Sequence, residues 1–114
     1  MEQRREARID FNIRFFVHVH ESETDLDLVG QSLQCEAIDF SAHGMQFKTN
    51  CELSPKTMLN ITIGIGEPFS MYLLRGEVRW VRSSGDDFNM GILLQPAEET
   101  DLERWVDNFE TLAA

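Results

Sequence analysis

The feature that most constrains the fold is an alternation of period two. From Ile9 to His20 the apolar residues Ile9, Phe11, Ile13, Phe15, Val17 and Val19 share one parity. Asp10, Asn12, Arg14, His18 and His20 take the other, and Phe16 is the exception. Successive side chains of an extended chain point to opposite faces, so the pattern predicts a strand with one face buried and one wet. It returns between Met58 and Ile65 through Leu59, Ile61, Ile63 and Ile65. Further strands are expected across Ser32–Ile38, Met45–Thr49, Phe69–Val81 and Phe88–Leu94. Between them lie turn signals: an acidic stretch from Glu21 to Asp27, the segment Asp39–Gly44, the group Gly64, Gly66 and Pro68, and Ser83–Asp87. Short strands with frequent turns predict a mainly β domain, a small antiparallel barrel with a hairpin turning at 39–44.

Near the end the period changes. Leu102, Trp105, Val106, Phe109 and Leu112 recur at helical spacing, so an amphipathic helix over 101–112 is expected. Thr100 and Glu103 fit a capping box at its start. The apolar stripe is expected to pack on the barrel or cover one of its mouths. With 114 residues the chain can build one core. The expected organisation is a single domain over 1–114, with a flexible arm at 1–8, a barrel at 9–95 and the closing helix.

Charge narrows the function. Twenty acids against ten Lys and Arg give a net charge of -10 and a pI near 4.6. That balance argues against a general DNA- or RNA-binding role, which needs a positive face. The charge is also divided. Residues 1–14 hold four Arg against three acids, +1, and residues 15–114 hold six cations against 17 acids, -11. An arginine-rich segment therefore leads into an acidic body, where Asp25 and Asp27 are expected to be exposed acids. The charged start is followed by no run of signal-peptide or membrane-span length, so a cytoplasmic protein without membrane insertion is expected. Cys35 and Cys51 are too few for a disulfide scaffold and match no zinc spacing, so free thiols are expected. His18 and His20 share a strand face without an evident third ligand, and they read as solvated strand histidines. Gly64 and Gly66 lack the Lys-Ser/Thr of a phosphate loop. No nucleophile–base–acid set and no metal constellation is evident, so an enzyme and a cofactor are not expected.

Two short motifs remain. Arg4-x-x-x-Arg8 alone is weak, since roughly one chain of this length in four has such a pair by chance. Asp39-x-Ser41-x-x-Gly44 is rarer, roughly one chain in twenty. Its local reading is a hairpin turn in which Asp and Ser cap amides and Gly44 takes a positive φ. Its functional reading adds a carboxylate and a hydroxyl presented outward. His43 lies inside that turn.

In order and context the two motifs resemble the signature of the PilZ domain, R-x-x-x-R followed by [D/N]-x-S-x-x-G. Glu77-Val-Arg-Trp-Val81 is similar to that family's late barrel strand, and Asn89-Met-Gly-Ile-Leu93 to its Gly-centred final strand. A closing helix also fits. The resemblance covers nearly the whole chain. It implies a six-stranded antiparallel barrel that binds cyclic di-GMP, a bacterial second messenger. Arg4 and Arg8 match the family's arginines, and Arg5 in the spacer is a helper. A guanidinium can meet guanine O6 and N7, stack on the purine or pair with phosphate. Asp39 would accept from guanine N1–H and the 2-amino group, Ser41 would bond a phosphate or base edge, and Gly44 would allow the close turn. Trp80 is either a base-stacking aromatic, as in some family members, or surface or core packing. Alternation places Val78, Trp80 and Arg82 on one strand face. The implied mechanism is a receptor whose arm is ordered by ligand, changing a surface that an unidentified downstream protein reads. The alternative is a ligand-independent PilZ-type interaction adaptor.

Overall fold

The computed structural model describes residues 14–65 and 70–113, with side chains as far as Asp107. Arg4, Arg5 and Arg8, the start of the first alternation, Gly66, Pro68, and the side chains of Phe109 and Leu112 lie outside the described residues. Seven antiparallel strands are present: β1 (Arg14–Glu21), β2 (Ser32–Leu33), β3 (Cys35–Phe40), β4 (Gly44–Thr49), β5 (Met58–Ile65), β6 (Ser70–Ser84) and β7 (Asp87–Gln95). Helix α1 (Leu102–Ala113) follows. The strands form one sheet in the order β2-β1-β5-β6-β7-β4-β3.

The expected strand across Ser32–Ile38 is two strands, which is why seven are seen where six were implied. Leu33 pairs with Val17 of β1, whereas Cys35 pairs with Thr49 of β4. At Gln34 the chain therefore steps from one end of the sheet to the other, and the Thr49 hydroxyl holds that step by donating to the Gln34 carbonyl at 2.8 Å. The sheet curls like a barrel but is not closed, because no ladder joins β1 to β3 among the described residues. Aromatic edges fill the seam instead. Phe15 of β1 meets Phe40 at 5.9 Å and Phe47 at 5.8 Å, both edge-to-face.

Inside, the period-two sets converge. Val17 and Val19, Phe47, Leu59, Ile61 and Ile63, Leu74 and Val78, and Met90 are essentially fully buried. Each such side chain contributes about 1.5–3 kcal/mol through burial. Two bulges break the alternation. In β3 the register shifts between Ala37 and Asp39, so Ile38 is extra and faces solvent. In β6, Val78 pairs with Ile92 but Trp80 with Gly91, so Arg79 is extra. An extra residue inverts the parity beyond it. Val81 consequently packs on the core with Val78, while Trp80 and Arg82 stand on the outer face. The expected grouping of Val78 with Trp80 is thus corrected.

Helix α1 docks through Trp105, which is wholly buried. Its ring meets Phe40 at 6.1 Å and Tyr72 at 5.3 Å, edge-to-face. The expected capping box does not form. The Thr100 hydroxyl donates to the Ala97 carbonyl at 2.6 Å, and Asp101 is the N-cap, its carbonyl accepting from Trp105 N–H at 2.8 Å. The Asp101 carboxylate serves the sheet instead. The β6–β7 ladder ends at Arg75–Gln95, so Leu73 lacks a β7 partner. Asp101 replaces it: Leu73 N–H donates to the carboxylate and Asp101 N–H donates to Leu73 O, both at 2.7 Å. Arg104 also donates to Met71 O at 2.6 Å. The helix start therefore covers an exposed strand edge.

Asp25 is half-buried, not the exposed acid that was expected. Its carboxylate accepts from Ser54 N–H at 3.1 Å and its amide donates to Ser22 Oγ at 2.9 Å, tying two loops together. Both cysteines are free. Burial pushes the Cys35 thiol up to about 11 and raises Cys51. On the outer face the Asn60 amide nitrogen lies 3.3 Å from His20 Nδ1, and Arg75 Nε donates to Asn60 Oδ1 at 2.8 Å. No cluster of three metal-ligating side chains occurs among the described residues, and no helix there is long and apolar enough to cross a membrane.

Candidate ligand-binding site

The Asp39–Gly44 segment is a narrower turn than its letters suggest. Strand β3 continues through Asp39 and Phe40, and β4 begins at Gly44. Ser41 closes the turn: its N–H donates to Gly44 O at 2.9 Å, its Oγ accepts from Gly44 N–H at 3.1 Å, and its hydroxyl donates back to Gly44 O at 3.1 Å. One lone pair of that oxygen is left over, so in this arrangement Ser41 offers an acceptor rather than a donor. Gly44 does not take a positive φ; the glycines that do are Gly30 and Gly85 among the described residues. It is required by proximity, since a Cβ there would lie 2.9 Å from the Ile92 carbonyl of the neighbouring strand.

Asp39 does not cap the turn. Its carboxylate makes no hydrogen bond among the described residues and points to the outer face beside Gln46, its partner across the ladder. The register then runs on from Gln46 to Gly91 and from Gly91 to Trp80. Four residues far apart in sequence form one row across β3, β4, β7 and β6. With Ser41, Gly44 and the adjoining backbone they line an open cleft of about 230 Å³. Three strand spacings give the row a length of about 14 Å.

Gly91 shapes one end of the row. A Cβ there would sit 2.2 Å from Trp80 Nε1 and 2.3 Å from Cε2, so the indole lies against the bare glycine backbone. Arg82 places its guanidinium carbon 4.8 Å from the Trp80 ring centroid. A cation thus stands at the β6 end and a carboxylate at the β3 end. At the turn, the Trp105 indole N–H donates to the Ser41 carbonyl at 3.2 Å, which joins the closing helix to the motif.

Of the residues expected to bind, the structure brings Asp39, Ser41, Gly44 and Trp80 into one cleft. His43 is exposed and does not line it, although its carbonyl accepts from Leu94 N–H at 2.9 Å. Sequence reasoning missed Gln46 and Gly91 as cleft residues, and Arg82 as the cation beside Trp80. Gly91 did carry a signal, because a glycine inside a strand marks a close approach. Gln46 carried none, because its place depends on the register of three strands.

These features define a small antiparallel β domain with an open cleft on the outside of its sheet. The PilZ domain model matches residues 2–108, and the chain belongs to the PilZ family. That family is in general one of cyclic di-GMP receptors and adaptors, not of catalysts. No curated protein matches the chain significantly.

Proposed function

We infer that this PilZ domain is a cyclic di-GMP receptor that uses the outer row as its base site. The observation that carries this reading is the Asp39–Gln46–Gly91–Trp80 row, with an uncommitted carboxylate at one end and a seated indole at the other. Asp39 suits the N1–H and 2-amino donors of guanine, and one good bidentate base contact discriminates by about 1–3 kcal/mol. Ser41 contributes its remaining acceptor, and Gly44 keeps the turn close to the sheet. The Trp80 face suits a purine, with Arg82 supplying charge for a phosphate. Arg4, Arg5 and Arg8 complete the site as the arm that closes over the ligand.

The output is a change of surface. Ligand at the turn meets the residue whose carbonyl holds Trp105, so the arm, the turn and the helix can respond together to be read by a downstream protein. The test is calorimetric titration with cyclic di-GMP of the chain and of its Arg4→Ala and Arg8→Ala variants. Binding is expected in the parent and loss of it in both variants, with unchanged circular dichroism. Parent-like affinity in either variant sinks the arm assignment. No binding by the parent at micromolar concentration favours the adaptor reading.

A further inference from the structure

We propose that Gln46 is a second reader of the guanine base, donating its carboxamide N–H to O6 beside the contacts that Asp39 makes. The inference rests on the cyclic di-GMP reading of the same cleft. Guanine presents N1–H and the 2-amino group as donors and, next to them, O6 as an acceptor. A carboxylate satisfies the two donors but repels O6, so a guanine set against Asp39 alone leaves one edge atom facing an acid. O6 has two lone pairs: an arginine of the arm can reach the one on the N7 side, and the one beside N1–H takes a donor next to Asp39.

The register places one there. Asp39 and Gln46 are ladder partners, so their side chains leave the same face with Cβ atoms about 4.5–5.5 Å apart. That spacing lets the two side chains address neighbouring atoms of one base edge. Gln46 lines the cleft, is half-buried, and its carboxamide makes no hydrogen bond among the described residues. Of the side chains lining the cleft, Gln46 and Trp80 carry N–H donors, and the Trp80 Nε1 lies against Gly91. Among the described residues that line the cleft, the carboxamide is therefore the free donor nearest to Asp39. A carboxamide is also suited to the task because it carries no charge: a cation in its place would pair with Asp39 and withdraw both from the base.

The test compares cyclic di-GMP with cyclic di-IMP, whose hypoxanthine keeps O6 and N1–H but lacks the 2-amino group. Calorimetry is run on the parent, on Gln46→Leu, which removes the donor, and on Gln46→Glu, which replaces it with a charge. Gln46→Leu is expected to weaken both ligands by the same factor, roughly 3–10-fold, the value of one neutral hydrogen bond. Gln46→Glu is expected to weaken both by more, because a second carboxylate then faces O6. Thermal unfolding without ligand is expected to be unchanged in Gln46→Leu. Affinity within twofold of the parent in Gln46→Leu overturns the assignment, as does a loss confined to cyclic di-GMP, which would put Gln46 on the 2-amino group. Parent protein that binds neither ligand removes the receptor reading and this inference together, whereas a binding parent with an indifferent Gln46→Leu removes this inference alone.

Discussion

Replacing Gly91 by alanine tests the seat of Trp80. The new Cβ would lie 2.2 Å from Nε1, 2.3 Å from Cε2 and 2.7 Å from Cζ2, where ordinary contact is 3.4–4 Å. The indole must therefore withdraw by at least about 1.2 Å, the difference between 3.4 and 2.2 Å. Overpacking of this kind costs about 1–3 kcal/mol. Alanine returns about 0.5–1 kcal/mol through the smaller backbone entropy of the unfolded chain. The net loss is about 0–2.5 kcal/mol, and each kcal/mol lowers Tm by about 4–8 °C in a domain near this size. The three nearest atoms all belong to one side chain, so removing that side chain should remove the cost. In a Trp80→Ala background, Gly91→Ala is expected to be neutral or slightly stabilising. Ligand binding gives the second readout. If a base stacks on the indole, Gly91→Ala should weaken cyclic di-GMP by about 1–3 kcal/mol, roughly 5- to 150-fold, and Trp80→Ala by a similar factor. Thermal unfolding of the four proteins in the cycle, with calorimetry on the same set, measures both. An equal cost of Gly91→Ala in both backgrounds would refute the reasoning, because the obstructing group would then not be the indole.

Trp105→Phe removes the N–H that holds the Ser41 carbonyl and leaves space in a fully buried site, so urea unfolding should show a loss of about 2–3 kcal/mol. Hydrogen exchange at the Gly44 amide, which Ser41 Oγ holds, should quicken in that variant, and unchanged exchange would separate the helix from the turn. The thiols set an alkaline limit. Cys35 ionises in the unfolded chain near 9.0 but in the folded chain only at about 11, because burial penalises the thiolate. The unfolded state therefore loses the proton first, so the Cys35 contribution is constant below pH 9 and falls as pH rises from 9 toward 11. Cys35→Ala should show a flatter Tm profile across that window than the parent, and parallel profiles would remove Cys35 as the cause.

Much of the fold was legible because burial repeats along a strand. Met58–Ile65 alternates in sequence and, as far as Ile63, in burial, and the helical spacing of Leu102, Trp105 and Val106 reports a face that packs on the core. The misreadings share one physical origin: they depend on a single residue whose effect is not local in composition. Gln34 divides one apparent strand between the two ends of the sheet, yet it is an ordinary polar residue among others. Arg79 is extra only in relation to β7, and it reverses the faces of Trp80, Val81 and Arg82. Thr100 and Glu103 have capping-box spacing, but the helix is set one residue later by Asp101, whose carboxylate the unpaired Leu73 amide claims. Likewise Asp39, Ser41 and Gly44 could be found by spacing because they share one turn, whereas Gln46 and Gly91 join them only through the ladder.

That ladder also resolves a conflict in the charges. A dianionic ligand approaches a body that carries -11 over residues 15–114, and its cleft holds a carboxylate at Asp39. An anion drawn in by net charge would avoid such a surface. Under the receptor reading the charges along the row have separate tasks. Asp39 and Gln46 face the base, whose edge is neutral and rich in donors, so the carboxylate meets N–H groups and not phosphate. Arg82, at the opposite end beside Trp80, faces the phosphates. The two ends are separated by about 14 Å, longer than the screening length of about 8 Å at physiological salt. Asp39 therefore repels the phosphates weakly while it selects the base at contact distance. The acidic body then acts against longer polyanions, which present many phosphates to it and cannot confine them to the Arg82 end. The negative charge that argues against a nucleic-acid partner is thus compatible with a small guanine-bearing anion, provided that a base edge meets Asp39 and the phosphates lie toward Arg82.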